Sequence, residues 1–98
     1  MDKIYKALAE INRRKIVFWL SQGDLNVSRI VNKLDLSQAT VSNHLSILRK
    51  AGLVSCRING KERIYKLDSK MVDLFVKELN RLIHFTAVKL DDEIIIRR

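Results

Sequence analysis

The sequence predicts a mostly helical domain with one small β-hairpin. Apolar residues recur at three- to four-residue intervals through most of the chain, which is the pattern of amphipathic helices. Two segments rich in β-branched and aromatic residues, LVSCRI and ERIYKL, flank Asn59-Gly60. This dipeptide indicates a hairpin with a type I′ turn, whose two central residues need positive φ. Because 98 residues supply one hydrophobic core and not two, we expect residues 1–98 to form a single domain.

The first twenty residues predict two short helices. Asn12 is the expected cap between them, because its side-chain oxygen can accept a hydrogen bond from an unpaired amide of the second helix. Gly23 and Asp24 mark the end of that second helix. The apolar positions are Ile4, Leu8 and Ile11 in the first helix and Ile16, Val17, Trp19 and Leu20 in the second.

The middle of the chain predicts two further helices that are separated by a tight turn, a helix-turn-helix pattern. The third helix begins at Asn26 and ends near Asp35, which interrupts the apolar periodicity. The fourth covers residues 38–51, with Ser37 as its cap and Gly52 just after its end. With the hairpin and a fifth helix after it, the expected order is four helices, two strands and one helix.

Residues 69–90 predict the longest helix, and its apolar residues cover a wider arc than one small core requires. We therefore expect part of this arc to contact a partner subunit, which makes it a dimerisation helix. The arc consists of Met71, Val72, Phe75, Val76, Leu79, Leu82, Ile83 and Phe85. For the tail 91–98 two alternatives stay open, a frayed end or a short strand at residues 94–96.

The composition favours a polyanionic partner. A formal net charge of +8 and a pI near 10.0 create a positive potential that attracts nucleic acid or an anionic membrane surface. No apolar run is long enough to span a bilayer, and the segment MDKIYKALAE does not resemble a signal peptide. The single cysteine, Cys56, fits a reducing compartment. We expect a cytoplasmic protein that is not inserted in a membrane.

The fourth helix has an unusual outer face. At 100° per residue, Val41, Leu45 and Leu48 point to the core. The opposite face is small and mostly uncharged, although long charged side chains would support a merely solvated helix better. Short polar groups suit a helix that enters the DNA major groove and contacts base edges. The face consists of Ala39, Asn43, Ser46 and Lys50, flanked by Ser42, Thr40 and Ile47.

Basic residues bracket this helix. Between positions 49 and 66 six cations face only one acid, Glu62, and contacts to phosphates would hold the helix in register on DNA. The six are Arg49, Lys50, Arg57, Lys61, Arg63 and Lys66. A purely solvated helix face and a module that docks a protein partner are the alternatives. An enzyme is not indicated, because Ser, Cys and His residues form no nucleophile motif and no phosphate-binding glycine loop is present.

Residues 4–68 resemble the ArsR/SmtB family of winged helix-turn-helix repressors. KALAEINRRKIVFWL is similar to the opening helices of that family, LSQATVSNHLSILRKAGLV to its recognition helix, and RINGKERIYKL to its wing. The resemblance implies a homodimer, paired through the first and last helices, that binds an imperfect palindrome in double-stranded DNA and represses transcription. By position it implies base contacts from Gln38, Ala39, Thr40, Ser42 and Asn43, and backbone contacts from Arg57, Lys61 and Arg63.

Other residues are interpreted as structural. His44 lies nearer the core side of the fourth helix, so packing is its first expected role and DNA contact its second. We interpret Cys56 as a small strand residue, with an intermolecular link or a reactive thiolate as alternatives. His84 is expected at a dimer interface. The aromatic residues Trp19, Phe18, Phe75 and Phe85 are expected in the core or an interface.

The sensor sites of the resembling family have no counterpart here. The third helix, VSRIVNKL, contains no cysteine, histidine or carboxylate, whereas many members bind metal through paired cysteines there. On the last helix, metal ligands could come only from Asp73, His84 and residues 91–93, which lack a second histidine. We therefore expect no metal and no cofactor, and regulation by a protein partner or by self-repression.

Overall fold

The computed structural model describes the backbone of residues 1–97 and the side chains of residues 1–84. It has five helices and a three-stranded antiparallel sheet, so the predicted fold class is confirmed. In chain order the elements are α1 (Asp2–Leu8), α2 (Ile11–Ser21), β1 (Leu25–Asn26), α3 (Val27–Leu34), α4 (Gln38–Lys50), β2 (Val54–Asn59), β3 (Glu62–Leu67) and α5 (Ser69–Arg97).

The hydrophobic core lies where α2, α3 and α4 meet the sheet. Its largest fully buried side chains come from the predicted inner faces of these helices: Ile16, Ile30, Val41, Leu45 and Leu48. Burying a side chain of this size stabilises a fold by about 1.5 to 3 kcal/mol. The core therefore holds α4 in one rotational setting about its axis.

The first helical junction differs from the prediction. Glu10, not Asn12, caps α2: its Oε2 accepts from the backbone N of Arg13 at 3.1 Å. Asn12 lies within α2 and donates from Nδ2 to Glu10 Oε1 at 3.2 Å. A carboxylate before the first turn also interacts favourably with the helix dipole, which an amide does less well.

The cap of α4 at Ser37 agrees with the prediction, and Asn26, predicted as the first residue of α3, is its cap. Asn26 precedes α3 and accepts from the backbone N of Arg29 at 2.9 Å, while Ser37 precedes α4 and accepts from the N of Thr40 at 3.1 Å. Asp35 ends α3 in the left-handed region with a φ of 54°, a conformation that Asp tolerates better than most residues.

The hairpin forms, but its predicted turn is wrong. Asn59 pairs with Glu62, so the loop is Gly60-Lys61, and only Gly60 has positive φ, at 67°. Glycine at the first central position is typical of type II′ turns. A type I′ turn over Asn59-Gly60 would have shifted the register by two residues and lost the observed pairing of Val54 with Leu67.

Strand β1 was not among the predicted elements. This two-residue strand pairs with β3 through Leu25 opposite Tyr65 and Asn26 opposite Ile64. The sheet order is β1-β3-β2, so the segment before α3 is joined directly to the hairpin.

The last helix is longer than predicted. It runs through 29 residues to Arg97, so neither a frayed tail nor a strand at residues 94–96 is observed. No glycine or proline follows Gly60 to end a helix. Met71, Val72 and Phe75 pack against the core. Several other apolar residues on α5 are exposed, namely Leu74, Val76, Leu82 and Ile83.

The side chains of Phe85 and of residues 91–93 lie outside the described part of the chain. Within that part, no helix combines the length and the apolar character needed to cross a bilayer.

Candidate nucleic-acid interface

The outer face of α4 is open to solvent. Val41, Leu45 and Leu48 are fully buried, and the residues opposite them are exposed, as the helical periodicity predicts. The exposed set is Gln38, Ala39, Thr40, Ser42, Asn43, Ser46, Arg49 and Lys50. Uncharged and mostly small side chains therefore cover the face from Gln38 to Ser46, and two cations lie at its C-terminal end.

The start of α4 is fixed by a local hydrogen-bond network. Ser37 Oγ accepts from the backbone N of Thr40 and lies 2.8 Å from Thr40 Oγ1. The remaining first-turn amides of a helix have no intrahelical partner and attract anions. Gln38 and Ala39 are exposed at this positive end of α4.

The hairpin, which we call the wing (residues 54–67), presents two chemically different faces. Because side chains alternate along a strand, Arg63 shares a face with Tyr65, and the register places Ile58 and Cys56 opposite them on that face. Arg57 lies on the other face, opposite Ile64. The sequence pattern grouped Arg57 and Arg63 together, and the structure separates them.

The Arg63 face of the wing borders a groove beside α4. The groove has a volume of about 380 Å³ and is lined by Val27, Gln38, Ser42, Ser46, Arg49, Lys50, Arg63 and Tyr65. Among the described side chains, the charged groups that line it are all cations. This geometry joins polar groups of α4 to three positive charges on one continuous surface, which suits the grooved, anionic surface of a nucleic acid.

A second groove adjoins the first at the wing tip. It has a volume of about 270 Å³ and brings Lys61 and Arg63 close to the N-termini of α3 and α4, with Asn26, Val27, Ser28, Gln38 and Glu62 as its other lining residues. Lys61 therefore lies on the same side of the molecule as the outer face of α4.

Arg57 is held in an ion pair away from these grooves. Its Nη1 lies 3.0 Å from Asp24 Oδ2, and both side chains are partly exposed. Asp24 immediately precedes β1, so the pair joins the outer face of the wing to the segment before α3. Whether Arg57 contacts DNA stays a prediction, but its position differs from that of Arg63.

His44 packs inside the domain, as expected. It is 9% exposed, and its Nδ1 lies 3.3 Å from Nη1 of Arg13 while its Nε2 lies 3.7 Å from Oε2 of Glu10. Arg13 also donates from Nε to the carbonyl oxygen of Ala7. This cluster fastens α4 to the junction of α1 and α2.

Tyr65 is buried opposite Cys56. Burial raises the pKa of the Tyr65 phenol above its ordinary value of 10.0, the neighbouring Cys56 raises it further, and Arg63 partly opposes the shift. The phenol is therefore neutral at physiological pH and can act as a hydrogen-bond donor in the groove. Cys56 is a half-buried strand residue packed against the core, in agreement with its predicted structural role.

Potential metal ligands are scattered in the described part of the chain. Within residues 1–84, no three His, Cys, Asp or Glu side chains are close enough to share an ion. His84 is exposed on α5, and the carboxylates at 91–93 lie outside the described side chains.

Comparison with known proteins identifies the family. Residues 11–55 match the family described as bacterial regulatory protein, arsR family. The HTH-type transcriptional regulator Rv2034 of Mycobacterium tuberculosis is 38% identical over 80 residues, which are 82% of this chain and 75% of that protein. The chain belongs to the ArsR family.

Two further transcriptional regulators are similar over most of their length. The transcriptional repressor SdpR of Bacillus subtilis is 31% identical across 74% of this chain and 80% of that protein. The solved structure of HlyU from Vibrio cholerae, a transcriptional activator, is 35% identical and superimposes with a TM-score of 0.69, covering 82% of this chain and 87% of that one. The ArsR-family chain is therefore a winged helix-turn-helix transcriptional regulator that binds DNA, in agreement with the expectation that it is not an enzyme.

Tyr65 and Asn26 line the grooves and Asp24 pairs with Arg57, but none of them belonged to the sequence-based site. Period-two alternation from Arg63 could have placed Tyr65 on the same face of β3. Asp24 and Asn26 carried no such signal, because their contacts with Arg57 and Glu62 span more than thirty residues and depend on β1. In this family member the segment before α3 is therefore a structural part of the wing.

Proposed function

We propose that this ArsR-family regulator is a homodimeric repressor that binds an imperfect palindrome in a promoter. The observation that carries the proposal is the continuous surface formed by the small polar face of α4 and the Arg63 side of the wing. In this proposal Gln38, Ala39, Thr40, Ser42, Asn43 and Ser46 contact base edges. Arg49, Lys50, Lys61 and Arg63 contact phosphates, with Arg57 as the weakest contributor.

Exposed apolar residues on the first and last helices support the dimer. Tyr5 of α1 packs edge-on against Phe75 of α5, with ring centroids 5.4 Å apart, so the two helices form one surface. Leu74 and Ile83 on α5 are 53% and 56% exposed. An apolar surface of this kind commonly marks a subunit interface. Dimerisation through α1 and α5 would leave both copies of α4 free.

The more specific part of the proposal is that DNA binding represses transcription and does not activate it. Both activities occur among similar proteins, since SdpR is a repressor and HlyU an activator. The absence of cysteine, histidine and carboxylate from α3 favours regulation that does not use a metal on that helix. A partner protein or self-repression would then control DNA occupancy.

Selection of bound sequences from a random DNA pool tests the proposal directly. We expect two inverted half-sites whose centres are about one helical turn apart, roughly 34 Å. A single half-site with no inverted copy would contradict the dimer. Placing the selected site over a reporter promoter then separates repression, which lowers expression, from activation, which raises it.

A further inference from the structure

One side-chain amide joins the start of the helix-turn-helix to the wing. Oδ1 of Asn26 accepts from the backbone N of Arg29 at 2.9 Å and so caps α3. Nδ2 of the same residue donates to Oε1 of Glu62 at 3.1 Å. Because Glu62 is the first residue of β3, the second hydrogen bond reaches the end of the strand that adjoins the wing tip.

The position of Glu62 is unfavourable for a DNA-binding surface. It is the only acid between positions 49 and 66 and stands between Lys61 and Arg63. It also lines the groove that separates these two cations from Gln38, the first residue of α4. A carboxylate in this place repels the phosphates that the cations would attract, but it also accepts the hydrogen bond from Asn26.

We propose that Asn26 and Glu62 are positioning residues that set the distance between the wing and α4. This inference rests on the proposed DNA-binding surface and adds a role for residues that need not touch DNA. Their hydrogen bond holds the wing tip in place, so that Lys61 and Arg63 stay at a fixed separation from the N-terminal end of α4. A wing that is already in place loses less conformational freedom when DNA binds.

Two substitutions at Glu62 separate positioning from charge. Both Glu62→Gln and Glu62→Ala remove the negative charge, but only glutamine keeps an oxygen at the same reach to accept from Asn26. Charge alone predicts that both variants bind the selected operator equally and more tightly than the unmodified protein. Positioning predicts that Glu62→Ala binds more weakly than Glu62→Gln. Loss of one neutral hydrogen bond in each protomer should weaken binding by about three-fold per protomer and about ten-fold for a dimer.

The salt dependence of binding gives a second readout. With the wing loosened, Lys61 and Arg63 neutralise fewer phosphates, so Glu62→Ala should show a shallower dependence of log K on log salt than Glu62→Gln. Glu62 is exposed, so both variants are expected to fold, which circular dichroism and thermal unfolding would verify.

The Asn26→Ser background completes the test. Serine caps a helix about as well as asparagine and carries no charge, but its short hydroxyl side chain does not reach Glu62. In this background Glu62→Gln and Glu62→Ala should bind alike. Equal affinities with Asn26 present, or a difference that persists with Ser at 26, would overturn the inference. Failure of the unmodified protein to retain any sequence from the random DNA pool would instead refute the proposed function.

Discussion

Arg63 provides the sharpest test of the proposed DNA surface. It lies on the face of the wing that borders the groove beside α4. Ser42 and Ser46 line the same groove from α4. We expect Arg63→Ala to weaken binding to cognate and random DNA alike, since a phosphate contact carries no sequence information. The substitution should hardly change folding, because the side chain is exposed.

The magnitude follows from counterion release. Each phosphate that a protein neutralises makes the negative slope of log K against log salt steeper by about 0.9 on duplex DNA. A dimer carries two copies of Arg63, so the slope for Arg63→Ala should be shallower by about 1.8. Between 50 and 200 mM salt, the affinity of the variant should therefore change about ten-fold less than that of the unmodified protein.

Arg57→Ala is the matched control. It removes the same charge from the same hairpin, but Arg57 lies on the opposite face and is paired with Asp24 at 3.0 Å. Fluorescence anisotropy with the selected operator at several salt concentrations would give both slopes. We expect Arg57→Ala to retain a slope close to that of the unmodified protein. Equal reductions in the two variants would show that net charge, and not the face of the wing, governs binding.

Other predictions concern sequence preference, stability and pH. Replacing Ser42 and Asn43 together with alanine should relax sequence preference while leaving affinity for random DNA nearly unchanged, as competition binding would show; equal losses on both DNAs would contradict base contact. Leu45→Ala should lower the free energy of unfolding by about 3 kcal/mol, measured by urea denaturation, because Leu45 is fully buried. The raised pKa of Tyr65 favours the protonated phenol in the folded state, so its stabilising effect is complete below pH 10 and is lost as the pH rises through the folded-state pKa. Tyr65→Phe should flatten this alkaline decline in urea titrations at several pH values, and an unchanged decline would count against the shift.

Features of the fold that depend on local interactions could be predicted from the sequence, whereas those that depend on long-range contacts could not. The outer face of α4 could be predicted because its cap at Ser37 and its apolar period are local properties. The turn at Gly60 could not, since a choice between two adjacent loops is decided by the pairing of Val54 with Leu67. The contact between Asn26 and Glu62 could not be predicted either, because it depends on the pairing of a strand of only two residues.

The difference between local and long-range interactions also explains how the proposed site obtains its geometry. One side of α4 is fixed by fully buried leucines and by His44, which lies against Arg13 of α2. The cations of the wing belong to a separate hairpin, and such a hairpin is only marginally stable alone. Its direction depends on the packing of Val54 and Tyr65 in the core, on the pairing of β3 with β1, and on the hydrogen bond from Asn26 to Glu62. Since specific recognition needs base contacts and phosphate contacts at a fixed separation, we expect the hydrogen bond between Asn26 and Glu62 to affect DNA binding although neither residue carries a positive charge.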